Sequence, residues 1–386
     1  MPAFSFLALA APPLLLLAAA GRVQAQLNAA GVYENMPTTF PPIDQTLYIS
    51  SALLAHPLVT EGMKRVRASV PQALLDLPTS QQISFSNVVY PGGAAAAQKN
   101  CYWPQDHCVQ TTAANGWQPD VTACPDLATW GLSYDDGPTV LAVGPDTSDI
   151  RDNLNALGVK ATFFVAGTGA TANPDELRTS FGAGHEIAVH TWTHRPMTNL
   201  TNEQIVAEIL YTEAKIFQTI GVVPRLFRPP YGDVDDRVRA IIGALGYLNI
   251  IWTSVPDRDS HDTGANNDAD RAAIVQTVEN TWLIPQAGFI SLNHDISNST
   301  SAIAVQVLKH IQSLGAAFPL KLKTIGACLN VQSYVGVPIG VTPSAPAAPT
   351  YRANPNVSNT AARQAGSGSL TFGVLVAAVV AYAVGA

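Results

Sequence analysis

Asp135 and Asp136 stand side by side in Ser-Tyr-Asp-Asp-Gly-Pro, residues 133–138, and two histidines four apart follow in His190-Thr-Trp-Thr-His194. Alone, an Asp-Asp-Gly-Pro segment is an ordinary turn, and a His-x-x-x-His pair is as often a surface pair as a ligand pair. Together they suggest more. Two imidazoles and one carboxylate can hold a divalent transition metal and leave positions open for water and substrate, and zinc suits that donor set. One of the two acids can then bind the cation while the other stays off it and works as a base. The Gly137-Pro138 break would turn the chain so that both carboxylates face the same place, with the cation and a nearby arginine relieving their repulsion.

The elements around these residues are readable from periodicity. From about residue 125, short apolar runs alternate with amphipathic segments. Strands are predicted at 129–134, 160–167, 185–192, 224–230, 247–254, 288–295 and 320–329. The segments between them read as helices. One carries Ile150, Leu154 and Leu157 on a single face, and another opens with Thr201-x-x-Gln204 and stops at Gly221. Apolar strands between helices belong to a parallel sheet covered on both faces. Seven such units predict an α/β barrel one unit short of eight, with its chemistry at the C-terminal strand ends. Asp135 and Asp136 follow the first strand, His190 and His194 the third, Arg228 and Tyr231 the fourth, Asp257 and Asp259 the fifth. His294 and Asp295 end the sixth.

Four segments in this order, Ser-Tyr-Asp-Asp-Gly-Pro, His-Thr-Trp-Thr-His, Arg228-Pro-Pro-Tyr-Gly and Leu292-Asn-His294, closely resemble the motifs of the NodB-type polysaccharide deacetylases of carbohydrate esterase family 4. Within that family the chain looks like the GPI-anchored chitin deacetylases of fungi. The resemblance covers roughly residues 125–330 and implies a distorted (β/α)7 barrel. It implies Asp135 as general base, with Asp136, His190 and His194 holding one divalent metal, zinc first and cobalt as the alternative. Arg228 would orient Asp135, the Tyr231 backbone N–H would face the oxyanion, Leu292 would line the acetyl pocket, and His294 would be the general acid. The family places an Asp-Trp pair after the fifth strand, whose Asp tunes the acid histidine. Here the stretch is Trp-Thr-Ser-Val-Pro-Asp-Arg-Asp-Ser-His-Asp, so Asp257 and Asp259 both qualify and Asp259 is preferred. Ser133-Tyr134 also stands where Thr-Phe is usual. The implied reaction is hydrolysis of the N-acetyl groups of chitin to chitosan and acetate. A serine route is not supported, because no Gly-x-Ser-x-Gly elbow is found.

The remaining sequence sets the context. Residues 1–25 read as a signal peptide, apolar from 3 to 20 and ending in Val23-Gln24-Ala25. Residues 26–122 read as an irregular extension without assignable chemistry, 123–330 as the barrel, and 331–358 as a Pro/Ala-rich linker. Residues 359–386 combine a polar spacer with a charge-free tail from Leu370, which reads as a GPI-attachment signal with Asn359, or Ser358 or Thr360, as the attachment site. The expected location is outside the cell, on the plasma membrane or in the wall. N-glycosylation sequons stand at Asn199, Asn298 and Asn356. Four cysteines allow three pairings. Cys101–Cys108 closing a small loop and Cys124–Cys328 clasping the barrel are preferred.

A formal charge of −7 gives no reason to expect nucleic-acid binding. The expected partners are chitin or its oligomers and other cell-wall glycans, with the protein a monomer. Two alternatives stay open. One is a deacetylase of another N-acetylated glycan, and the other is a non-catalytic wall carbohydrate-binding protein.

Overall fold

Short parallel strands build the barrel, and all but Thr129–Gly131, which runs straight into Ser133–Asp135, are followed by a helix. The computed structural model describes residues 27–28, 31–341, 343 and 351–353. The expected signal peptide, the GPI stretch with Ser358, Asn359 and Thr360, and the sequon at Asn356 lie outside the described residues.

Five strands form one sheet in the order Ser133–Asp135, Thr162–Val165, Glu186–Val189, Leu226–Phe227, Leu248–Asn249. Three form another, with Thr129–Gly131 between Phe289–Ile290 and Lys321–Lys323. Backbone bonds along residues 290–295 join the two sheets. Asp135 N–H donates to Asn293 O at 2.9 Å on one side, and Ser260 N–H to Leu292 O at 3.0 Å on the other. The ring closes as a distorted α/β barrel of seven strand–helix units, the class expected from the alternation.

Where the strands depart from expectation, packing is the cause. Residues 129–134 do not form one strand. The chain is shared between the two sheets, with Leu132 at the junction donating to Lys323 O and accepting from Thr162 N–H. Residues 320–329 are a three-residue strand and then a helix, Ile325–Leu329, capped by the Thr324 side chain. That helix carries Cys328 to Cys124, and the other bonded pair is Cys101–Cys108. The linker begins later than residue 331. The Tyr334 hydroxyl accepts from Ile187 N–H at 2.8 Å, and Ser333 hydrogen-bonds Glu186, so both belong to the barrel wall.

Residues 26–122 are not simply irregular. They contain a 13-residue helix, Pro57–Ser69, which buries Leu58, Val59, Met63 and Val66 against the barrel helix Asn202–Ile220. Gly62 permits the approach, since a Cβ there would come within 2.7 Å of both Leu210 and Val206. This second covering layer explains why Asn202–Ile220 is buried on nearly every face rather than along one stripe. Its ends are those the sequence predicts: a Thr201/Gln204 capping box, and Gly221 in the left-handed region at φ 74°.

Candidate active site

The turn after Ser133–Asp135 sends two consecutive carboxylates different ways. Asp136 takes a positive φ of 83°, and Gly137 follows against the Asp295 carboxylate, where a Cβ would come within 2.1 Å of Oδ2. Asp295 holds this turn by accepting from Gly137 N–H at 2.9 Å and from the Thr147 hydroxyl at 2.7 Å, and burial pushes its carboxyl up to about 7. Asp135 Oδ1 accepts from Arg228 Nη1 at 2.8 Å, and both side chains are buried. Burial alone would disfavour the guanidinium charge, which the Asp135 carboxylate partly restores.

Asp136 instead faces the two histidines. Its Oδ1 lies 2.9 Å from His194 Nε2 and 3.2 Å from His190 Nε2. The histidines sit in the loop after Glu186–Val189, where Thr191 and His194 both adopt positive φ. A tight turn, not a helix, therefore brings them together, with ring centroids 5.0 Å apart. Glu208 ties this loop to the covering helix, accepting from Trp192 N–H at 2.8 Å, Thr193 N–H at 2.7 Å and the Thr193 hydroxyl at 2.6 Å.

The donor atoms fit a cation. His190 Nδ1 lies 2.8 Å from Arg228 O, a carbonyl that can only accept, so Nδ1 carries the proton. In the neutral ring Nε2 is then a lone pair facing the Asp136 carboxylate. Asp136 Oδ1 is buried and lacks a hydrogen-bond donor. Lone pairs converging in a dry place call for a positive ion. Burial raises the Asp136 carboxyl, but positive charge facing it, from protonated His194 and His190 rings or from a cation in the place of those protons, outweighs burial and holds it well below its usual range, so it is ionised. One donor atom from each of Asp136, His190 and His194 lies within 4.8 Å of the others, a set that could hold a divalent metal. His194 Nδ1 is 3.0 Å from the Tyr231 hydroxyl, which steadies the ring from behind.

His294 reaches the same rim through the parallel bridge Asp135–His294. Its partner is not Asp259, as preferred from the sequence, but Asp262. The ring Nδ1 and the backbone N–H of His294 donate to the two Asp262 oxygens at 2.6 and 2.8 Å. Asp257 and Asp259 engage His261 instead. Register is the reason: Asp259 bridges Leu292, so the residue level with His294 comes further along the chain. Burial opposes a charge on His294, but Asp262, with Asp136 and Asp135, carries it up to about 10.

Leu292 is buried beside this rim, and Tyr231 lies at φ 59° in the turn after Leu226–Phe227. Of the described sequons, the Asn199 side chain is engaged by Ser80 O and the Tyr48 hydroxyl, while Asn298 is exposed at the start of its helix. Sequence reasoning missed Asp262, Glu208 and the Tyr231 hydroxyl. Asp262 ends the very stretch that holds Asp257 and Asp259. Glu208 gave no signal beyond being an acid inside an apolar helix.

The chain is similar in sequence to known proteins. The family model described as polysaccharide deacetylase matches residues 123–250. Chitin deacetylase 1 of Cryptococcus neoformans is 39% identical over 251 residues, 61% of this chain and 50% of that protein. Chitin deacetylase 1 of Saccharomyces cerevisiae is 30% identical over 268 residues, 69% of this chain and 79% of that one. The solved chitin deacetylase of Colletotrichum lindemuthianum aligns with a TM-score of 0.49 at 25% identity, over 55% of this chain and 94% of that one. The chain spans about half the length of the Cryptococcus relatives it matches. With the yeast relative matched over most of its length, and the motif residues gathered at one rim, the chain belongs to the polysaccharide deacetylase family.

Proposed function

We propose that this protein is a metal-dependent N-deacetylase of chitin, releasing acetate and leaving chitosan. The observation that carries the reading is the division of labour between Asp135 and Asp136: one is committed to an arginine, the other to two imidazoles. The names of the fungal relatives support chitin as the polymer.

Asp136, His190 and His194 would hold the ion, zinc by the chemistry of the donors or cobalt in its place. A divalent cation there supplies Lewis acidity, which activates water and polarises the acetamide carbonyl. Asp135, held by Arg228, takes the proton from the attacking water. The Tyr231 backbone N–H donates to the developing oxyanion, and Leu292 packs on the acetyl methyl. His294, kept protonated by Asp262, delivers a proton to the nitrogen, without which the amine is a poor leaving group. The acid is supported by Asp262, which hydrogen-bonds it, rather than by Asp259.

Both disulfides fit an oxidising compartment, and no helix among the described residues is long and apolar enough to cross a membrane. Attachment through a GPI anchor at the cell surface is part of the same proposal. Truncation before residue 358 should release the protein into the medium. Acetate release from chitin oligomers, peptidoglycan fragments and other acetylated glycans, with and without added metal, tests the activity. Release from none of them sinks the deacetylase reading, and release only from a different glycan sinks chitin.

A further inference from the structure

The loop that carries His190 and His194 is strained. Thr191 and His194 adopt φ of 65° and 56°, a region that residues other than glycine seldom enter without support from their surroundings. Trp192 stands between these two residues and is fully buried. Gly167 lies so close that a Cβ there would come within 2.3 Å of the indole, and the Tyr211 ring stands edge-on to it at 6.4 Å.

The rest of the enclosure comes from the chain before the barrel. The Phe40 ring stacks on the indole, with centroids 5.7 Å apart and planes 16° from parallel. The indole Nε1–H donates to Pro42 O at 2.9 Å. Gln45 Nε2 donates to the Thr168 hydroxyl at 3.0 Å, beside Gly167, and Arg195 Nη2 donates to Thr46 O. Residues 40–46 therefore meet the loop on either side of His194 in sequence, at Trp192 and at Arg195. Phe40 is itself held by the barrel helix Asn202–Ile220. The Tyr211 ring stands edge-on to it at 6.2 Å, and the Lys215 ammonium lies 5.5 Å from its centroid.

A cation binds best to donors already in place, because the free energy of converging them lowers its affinity. With the indole released, the positive φ at Thr191 and His194 would relax and the two histidine rings would part. We infer that residues 40–46 clamp the histidine loop, with Phe40 and Trp192 as positioning residues that set the affinity for the divalent cation. The inference rests on the metal reading of Asp136, His190 and His194. It gives a task to a segment that lies outside the residues matched by the family model.

The test uses the full chain stripped of metal, with zinc as the probe and a chromogenic chelator as competitor. Phe40→Ala removes the stacked ring. Trp192→Phe keeps an aromatic ring and removes the donor to Pro42. Val66→Ala, in the helix Pro57–Ser69, loosens the same extension where it packs on the barrel helix and controls for lost stability. Zinc Kd should rise about tenfold in Phe40→Ala and in Trp192→Phe, the low end of what supports behind metal ligands are worth. It should stay near the parent's in Val66→Ala, although Tm falls there. Excess zinc should restore acetate release from N-acetylglucosamine oligomers, with KM unchanged. A zinc Kd within twofold of the parent in either folded variant, or an equal rise in Val66→Ala, overturns the clamp and leaves the metal reading standing. A parent that binds no zinc and releases no acetate overturns both.

Discussion

Asp135 and Asp136 are adjacent in the chain, yet Arg228 Nη1 donates to Asp135 Oδ1 at 2.8 Å while Asp136 Oδ1 lies 2.9 Å from His194 Nε2. The positive φ at Asp136 separates them. Two like charges in one buried turn are tolerable because each has its own positive partner, or room for one.

The two acids should therefore fail differently. Asp136→Ala removes one of three protein donors, so bound metal should fall and excess metal should restore part of the rate. Asp135→Asn keeps size and shape but cannot take a proton. It should retain metal and lose about 10²–10⁴-fold in turnover. Metal content and acetate release, measured side by side, decide. Loss of metal from Asp135→Asn with retention in Asp136→Ala would reverse the assignment.

Asp262, not Asp259, should govern the basic limb of the pH profile. His294 must be protonated to act as the acid, so the rate falls as pH rises through its pKa. Burial lowers that pKa, and Asp262 is the largest charge raising it, to about 10. In Asp262→Asn the basic limb should move to lower pH by about one unit or more. Asp259→Asn, which removes a charge that faces His294 without bonding it, should move the limb less, and the opposite pattern would restore Asp259 as the supporting acid.

Glu213 gives the fold a pH dependence of its own. It is buried beneath the hydroxyls of Tyr33 and Tyr247, and burial raises its carboxyl from 4.5 to about 7. A raised carboxyl favours the folded state when protonated. That contribution is complete below about pH 4.5 and is lost as pH rises through about 7. Glu213→Gln mimics the protonated form and can still bond both hydroxyls. Its Tm advantage over the parent should grow from pH 5 to pH 8, with a ceiling of roughly 3 kcal/mol. Parallel Tm curves across that range would refute the assignment.

The Cys124–Cys328 bond spans 204 residues and joins the start of the barrel to its last helix. In the chain-entropy treatment such a loop contributes at most about 5 kcal/mol. Replacing both cysteines by serine should lower Tm by well over the effect of opening Cys101–Cys108, whose separation is 7. Equal Tm losses would show that loop length does not set the contribution.

Residues whose geometry depends on near neighbours were legible from the sequence. The alternation of apolar runs and capped helices specified an α/β barrel, because period and capping are local properties. The paired acids and the His-x-x-x-His segment announced a metal set, because four residues of turn suffice to converge two rings. Three things waited for tertiary structure. Asp262 rather than Asp259 meets His294 because register across the barrel closure places Asp259 beside Leu292. The Trp192–Thr193 loop is held by Glu208, from a helix that begins eight residues beyond His194. Residues 80–107 carry no periodic signal, yet they fold over Tyr231, because their partners Thr198, Asp233 and Val234 lie roughly a hundred residues away or more. Contacts made across the chain leave no pattern in either partner's own neighbourhood, so only the folded molecule could reveal them.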